Sequence, residues 1–93
     1  MAPTERSLRE RAVALLARRE HSRSELARKL APHAESREEL DRLLDELAAR
    51  KLLSDDRYAE MRVTVRAGRY GNQRLRQELA TAGVDDATIA TAL

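Results

Sequence analysis

Arg66, Arg69, Tyr70, Arg74 and Arg76 fall within eleven residues of one another. No acidic residue occurs from Met61 to Gln77, a run of 17 that also holds Arg62. Guanidinium groups at this density could grip phosphates or carboxylates, each planar fork offering two parallel N–H bonds. Tyr70 could stack or donate a hydrogen bond at a partner surface. Arg18, Arg19, Arg23, Arg28 and Lys29 repeat the theme nearer the N-terminus, and the two sets together would form one basic strip. Glu35, Glu38, Asp41 and Asp45 form an acidic face that could meet a basic partner or fold back on the strip. The plain counter-reading of the arginine-rich stretch is a solvated face, with Tyr70 covering a helix corner.

Bond-making chemistry is poorly supplied, and no catalytic residue is assigned. His21 and His33 stand 12 residues apart, with no cysteine in the chain and no carboxylate at ligand spacing, so no metal site is expected. His21 beside Ser22 pairs a base with a hydroxyl on paper. Adjacent side chains diverge, however, and no third group is placed to orient the imidazole. Gly68-x-x-Gly71 has the spacing of a phosphate loop but lacks a preceding strand and a following Lys-Ser/Thr pair. Turns account for those glycines, and neither cofactor nor small-molecule substrate is expected.

Composition sets the frame. The chain has 93 residues, 42% hydrophobic and 37% charged, with no Phe, Trp or Cys and only three glycines and two prolines. Alanine and leucine dominate the apolar share, which favours helix over sheet and makes for a thin core. The absence of cysteine fits a reducing cytoplasm. No apolar run approaches the roughly 20 residues of a membrane span, and no membrane partner is expected. The net charge of +2 is unevenly spread. Arg6–Lys29 holds eight basic and three acidic residues, Glu35–Glu46 six acidic and two basic, and Met61–Gln77 five basic and none acidic. Alternating blocks suit a polar macromolecular partner better than a binder of uniform polyanions.

Six helices must position these groups. Leu8, Ala12, Leu15 and Leu16 give the first, Ser7–Arg19, an apolar stripe. Ser22 and Glu25 read as a capping box opening the second, Arg23–Ala31, which Pro32 ends. Ser36 and Glu39 read as another, opening Arg37–Lys51 with Leu40, Leu43, Leu44 and Leu47 on one face. Ser54-Asp55-Asp56 starts Asp55–Ala67, with Tyr58, Met61 and Val65 turned inward and Gly68 closing it. Asn72 is expected to cap Gln73–Thr81, Gly83 to close it, and Asp85 to cap a last helix carrying Ile89 and Leu93.

A shift of 49 residues overlays the chain on itself. Leu26 falls on Leu75, Leu30 on Leu79, Leu40 on Ile89, Leu44 on Leu93, and the cap Ser36 on Asp85. The expected fold is therefore all-α, with two tandem three-helix repeats forming elongated right-angle helical modules. Residues 1–6 form a flexible N-terminus, 7–53 the first repeat and 54–93 the second, whose last helix reads as truncated.

The strings LLARREHSRSELARKL (Leu15–Leu30), LLDELAARKLLSDDRYAEMRV (Leu43–Val63) and RYGNQRLRQELATAGVDDATIATAL (Arg69–Leu93) resemble the RecX family of bacterial regulatory proteins, in order along nearly the whole chain. Asn72 stands where that family often has Pro, and both suit a helix start. The resemblance implies tandem three-helix repeats, usually three, of which two fall within these residues. It implies a non-enzymatic cytoplasmic protein that binds in the groove of the RecA filament, bridges protomers, and inhibits ATPase, strand exchange and co-protease activity. The ten residues Arg18, Arg19, Arg23, Arg28, Lys29, Arg66, Arg69, Tyr70, Arg74 and Arg76 would then face the filament, with some contact to the DNA backbone. Two other readings stand beside it. One is a direct DNA binder of helix-turn-helix type, against which count the acidic third helix and the scarcity of stacking aromatics. The other is a generic helical-repeat adaptor.

Overall fold

The computed structural model describes residues 6–66 and 68–93; residues 1–5 of the expected flexible N-terminus, and Ala67 at the expected end of the fourth helix, lie outside the described residues. Three serines start the first three helices. Ser7 Oγ accepts from the Glu10 amide at 3.1 Å while the Glu10 carboxylate accepts from the Ser7 amide at 2.9 Å, opening α1 (Leu8–Arg18). Ser22 Oγ accepts from the Glu25 amide at 3.1 Å and opens α2 (Arg23–Leu30). Ser36 Oγ accepts from the Glu39 amide, also at 3.1 Å, and opens α3 (Arg37–Ala49). Only the first is a reciprocal capping box. Arg19 holds the Glu25 carboxylate, and the Glu39 carboxylate accepts from the Glu35 amide at 2.8 Å instead of reaching Ser36.

Pro32 sits in a single 3-10 turn, Ala31–His33, that ends α2. After α3 the chain reverses through Lys51 at φ 62, and the Leu52 amide reaches back to the Leu47 carbonyl at 2.9 Å. A helix ending with a left-handed residue satisfies carbonyls that would otherwise lack donors. The helix thus stops two residues short of the expected Lys51. Ser54 Oγ accepts from the Arg57 amide at 3.2 Å, and α4 runs Asp55–Arg66. Gly68 follows at φ 82. α5 (Asn72–Thr81) and α6 (Asp86–Ala92) complete the chain, the latter capped by Asp85, whose carboxylate accepts from the Thr88 amide at 2.8 Å. The described residues are all helical or connecting, with no strand.

Two hydrophobic clusters hold these helices. Leu26, Leu30, Leu40, Leu44 and Leu47 are buried with Ala12, Leu43 and Leu53, joining α1, α2 and α3. Tyr58, Ala59, Leu79, Val84 and Ile89 join α4, α5 and α6. With no Phe or Trp, each cluster is a patch of small contacts rather than one thick core. The body measures 51 × 25 × 22 Å. Its radius of gyration of 14.7 Å exceeds the roughly 12 Å of a globule this size, so the molecule is elongated.

One helical face departs from expectation. Val65 is 62% exposed, not turned inward. Tyr58 and Met61 do turn inward, with Ala59 and Val63 beside them, and Arg62 and Arg66 reach across to Glu78 on α5.

Polar contacts tie the two clusters together. Ser22 Oγ donates to the Ala82 carbonyl at 2.7 Å. The Asp55 carboxylate accepts from the Arg23 amide at 2.7 Å, and Arg57 pairs with Glu20 at 2.8 Å. All three meet the N-terminal end of α2 or the segment just before it, so that end is the joint of the molecule.

Candidate functional site

The α4–α5 corner is built by Gly68 and Gly71. Gly68 takes the left-handed backbone that a side chain disfavours. Gly71 occupies the N-cap in extended conformation, φ −71 and ψ 165. Asn72 was the expected cap; it is instead the first helical residue, and no side chain caps α5. The register is one residue earlier because Gly71 already supplies the extended turn. With no acidic residue in its first turn, α5 presents unneutralised amide dipole at this corner.

Tyr70 lies half-buried, with two guanidinium groups against its ring. Arg74 stacks 4.4 Å and Arg66 5.3 Å from the ring centroid. Both distances are within cation–π range. Arg66 also lies 3.4 Å from the Glu78 carboxylate, which Arg62 engages too. Glu78 therefore anchors Arg66, Arg66 fixes one side of Tyr70, and Tyr70 steadies Arg74. Arg69, Arg74 and Arg76 are exposed, and none has an acidic partner among the described residues. Beside them a broad open groove of about 840 Å³ is lined by Gly71, Gln73, Arg74, Gln77, Glu78 and Thr81. The arrangement can present one stacked cationic fork, Arg74, and two exposed ones, Arg69 and Arg76, to an acidic surface.

The N-terminal set is arranged differently. Arg19 grips Glu25 with both terminal nitrogens, at 3.1 and 2.5 Å, and Lys29 approaches the same carboxylate at 3.6 Å. Hydrogen bonding from Arg19 holds the Glu25 carboxyl down to about 2, burial opposing it. Arg23 pairs with Asp45 at 2.6 Å, so part of the acidic α3 face does fold back onto the basic strip. Arg18 and Arg28 are exposed, with no acidic partner among the described residues. Carboxylates thus interrupt the strip in this half, leaving its free charge on Arg18 and Arg28.

His21 and Ser22 have structural duties. Both are buried. The Arg19 carbonyl can only accept, so His21 Nδ1 donates to it at 3.0 Å, and Nε2 accepts from Lys29 Nζ at 3.0 Å. Burial lowers the His21 pKa. Both ring nitrogens are thereby engaged away from Ser22, whose hydroxyl is held by Ala82. Among the described residues no group of His, Asp and Glu could hold a metal ion, and no helix is long and apolar enough to cross a membrane.

Residues 54–93 match the family model described as RecX, second three-helix domain. The chain is 57% identical over 83 residues to a protein named Regulatory protein RecX from Ralstonia pickettii, covering 89% of this chain and 52% of that one. It is 48% identical over 93 residues to a namesake from Chromobacterium violaceum, covering 100% and 61%. A third, from Neisseria meningitidis, is 50% identical over 84 residues, covering 90% and 55%. The chain thus spans between half and two thirds of the length of these curated relatives.

Proposed function

This chain belongs to the RecX family, and from that premise we propose that it is a non-catalytic regulator of recombination and DNA repair that binds the RecA filament in the cytoplasm. Occupying the filament inhibits its ATPase, strand-exchange and co-protease activities. The relatives' names support a regulatory role, and the resemblance carried by the three sequence strings supplies the partner. The observation that carries the site is the Arg66–Tyr70–Arg74 stack, which holds Arg74 beside the exposed Arg69 and Arg76 at one corner. We read 7–53 and 54–93 as two three-helix units, each with its own cluster, and the 51 Å length as reach across more than one protomer. Arg18 and Arg28 extend the contact from the first unit, with Arg19, Arg23 and Lys29 behind them in ion pairs. RecA-dependent ATP hydrolysis on single-stranded DNA, measured with and without the chain, tests the reading.

The second reading, direct DNA binding through α4 and α5, draws on the uncapped N-terminus of α5 next to Arg74 and Arg76. Affinity for DNA alone, falling steeply with salt and unaccompanied by any effect on RecA, would favour it.

A further inference from the structure

A cavity of about 480 Å³ opens between α1 and α2. Its walls are Arg6, Arg11, Arg18, Lys29 and His33, and its floor is Leu15 and Leu30, the latter 1% exposed. No carboxylate lines it. Among the described residues, Arg6, Arg11 and Arg18 form no ion pair, although Arg9 on the same helix segment pairs with Glu46. Lys29 is steadied from behind by His21 Nε2 at 3.0 Å and by Glu25 at 3.6 Å. Like charges converging on an apolar floor repel one another unless an anion lies between them.

We propose that this groove binds an acidic peptide segment, seating one apolar side chain on Leu15 and Leu30 between carboxylates that pair with Arg11 and Arg18. The floor chooses the occupant. A nucleic-acid strand is charged along its backbone and uses its bases for stacking, yet no Phe, Tyr or Trp lines this cavity, and its one imidazole, His33, is solvent-exposed. A Leu-sized side chain flanked by Asp or Glu satisfies both floor and walls, and the volume is that of an ordinary ligand cleft. The proposal deepens the reading of Arg18 and Lys29 as partner contacts and rests on it only for those two. A titration without RecA keeps its failure separate from failure of the filament reading.

The test is fluorescence anisotropy of a labelled peptide of Asp and Glu around a single Leu, titrated with the full chain. The Leu peptide should bind, and its Leu→Ser counterpart should bind about tenfold more weakly, the value of one apolar side chain in a pocket. Arg11→Glu with Arg18→Glu should weaken the Leu peptide by more than about tenfold, Arg18→Gln by a few-fold, and Arg42→Ala, on the exposed side of α3, by less than about twofold. Circular dichroism checks that each variant keeps its helicity. No binding of the Leu peptide, equal binding of the Ser peptide, or tighter binding of oligothymidylate through the same arginines would overturn the proposal.

Discussion

Ser22 Oγ donates a 2.7 Å hydrogen bond to the carbonyl oxygen of Ala82, 60 residues away, while accepting one from the Glu25 amide at 3.1 Å. One hydroxyl thus caps α2 and fastens it to the end of α5. Ser22→Ala should cost about 1–3 kcal/mol, combining a lost N-cap with the loss of a hydrogen bond to a partly buried carbonyl. Urea unfolding measures it. A loss below about 0.5 kcal/mol would mean the joint is held elsewhere.

Gly83 should be far less replaceable than Gly68. Both have left-handed backbone, φ 85 and φ 82. A Cβ at Gly83 would lie 2.4 Å from the Ser24 Cβ, whereas one at Gly68 meets nothing within 4 Å. Gly68→Ala should cost about 1 kcal/mol from backbone strain alone. Gly83→Ala should cost at least about twice that, because α2 must also shift away from α5. Equal losses in thermal unfolding would contradict the close approach of those two helices.

Stability should fall in acid through Glu25. Its folded carboxyl titrates at about 2, below the ordinary 4.5, so its contribution is complete above pH 4.5 and disappears as pH drops toward 2. Arg19 is 45% exposed, so solvent limits the effect to about 1 kcal/mol. Glu25→Gln should flatten the unfolding free energy across that window. His21, its pKa lowered by burial, adds stability above its ordinary 6.5 that declines as pH falls below it. Parallel curves for wild type and Glu25→Gln would show that the Arg19 pair contributes nothing.

Tyr70 should act through its ring. Tyr70→Phe keeps a face for Arg66 and Arg74 and should bind RecA nearly as wild type does. Tyr70→Ala releases Arg74 and should weaken binding about three- to tenfold. If the Phe variant loses as much as the Ala variant, the hydroxyl is the contact and the stack is incidental.

The helix faces built on leucine were legible because apolar periodicity reports them directly: Leu26, Leu30, Leu40, Leu43, Leu44 and Leu47 are all buried. Caps at Ser22, Ser36 and Asp85 were legible because capping is local chemistry. The inner face of α4 was legible at Tyr58 and Met61 but not at Val65, and an apolar pattern is blind to the inward reach of Arg62 and Arg66 to Glu78. Nor did the sequence mark which arginines are already paired. Arg19 finds Glu25 six residues on and Arg23 finds Asp45 22 residues on, distances that only the packing of α2 against its neighbours creates. The Ser22–Ala82 bond left no local signal at all.

The central claim is most directly tested by RecA-dependent ATP hydrolysis on single-stranded DNA, titrated with the wild-type chain and with a variant carrying Arg69→Ala, Arg74→Ala and Arg76→Ala. These three side chains are exposed, so helicity should be unchanged. The account predicts that wild type lowers the rate and that the variant needs at least about tenfold more protein to do so. An undiminished rate at saturating wild-type chain, under conditions where a full-length relative inhibits, would contradict it.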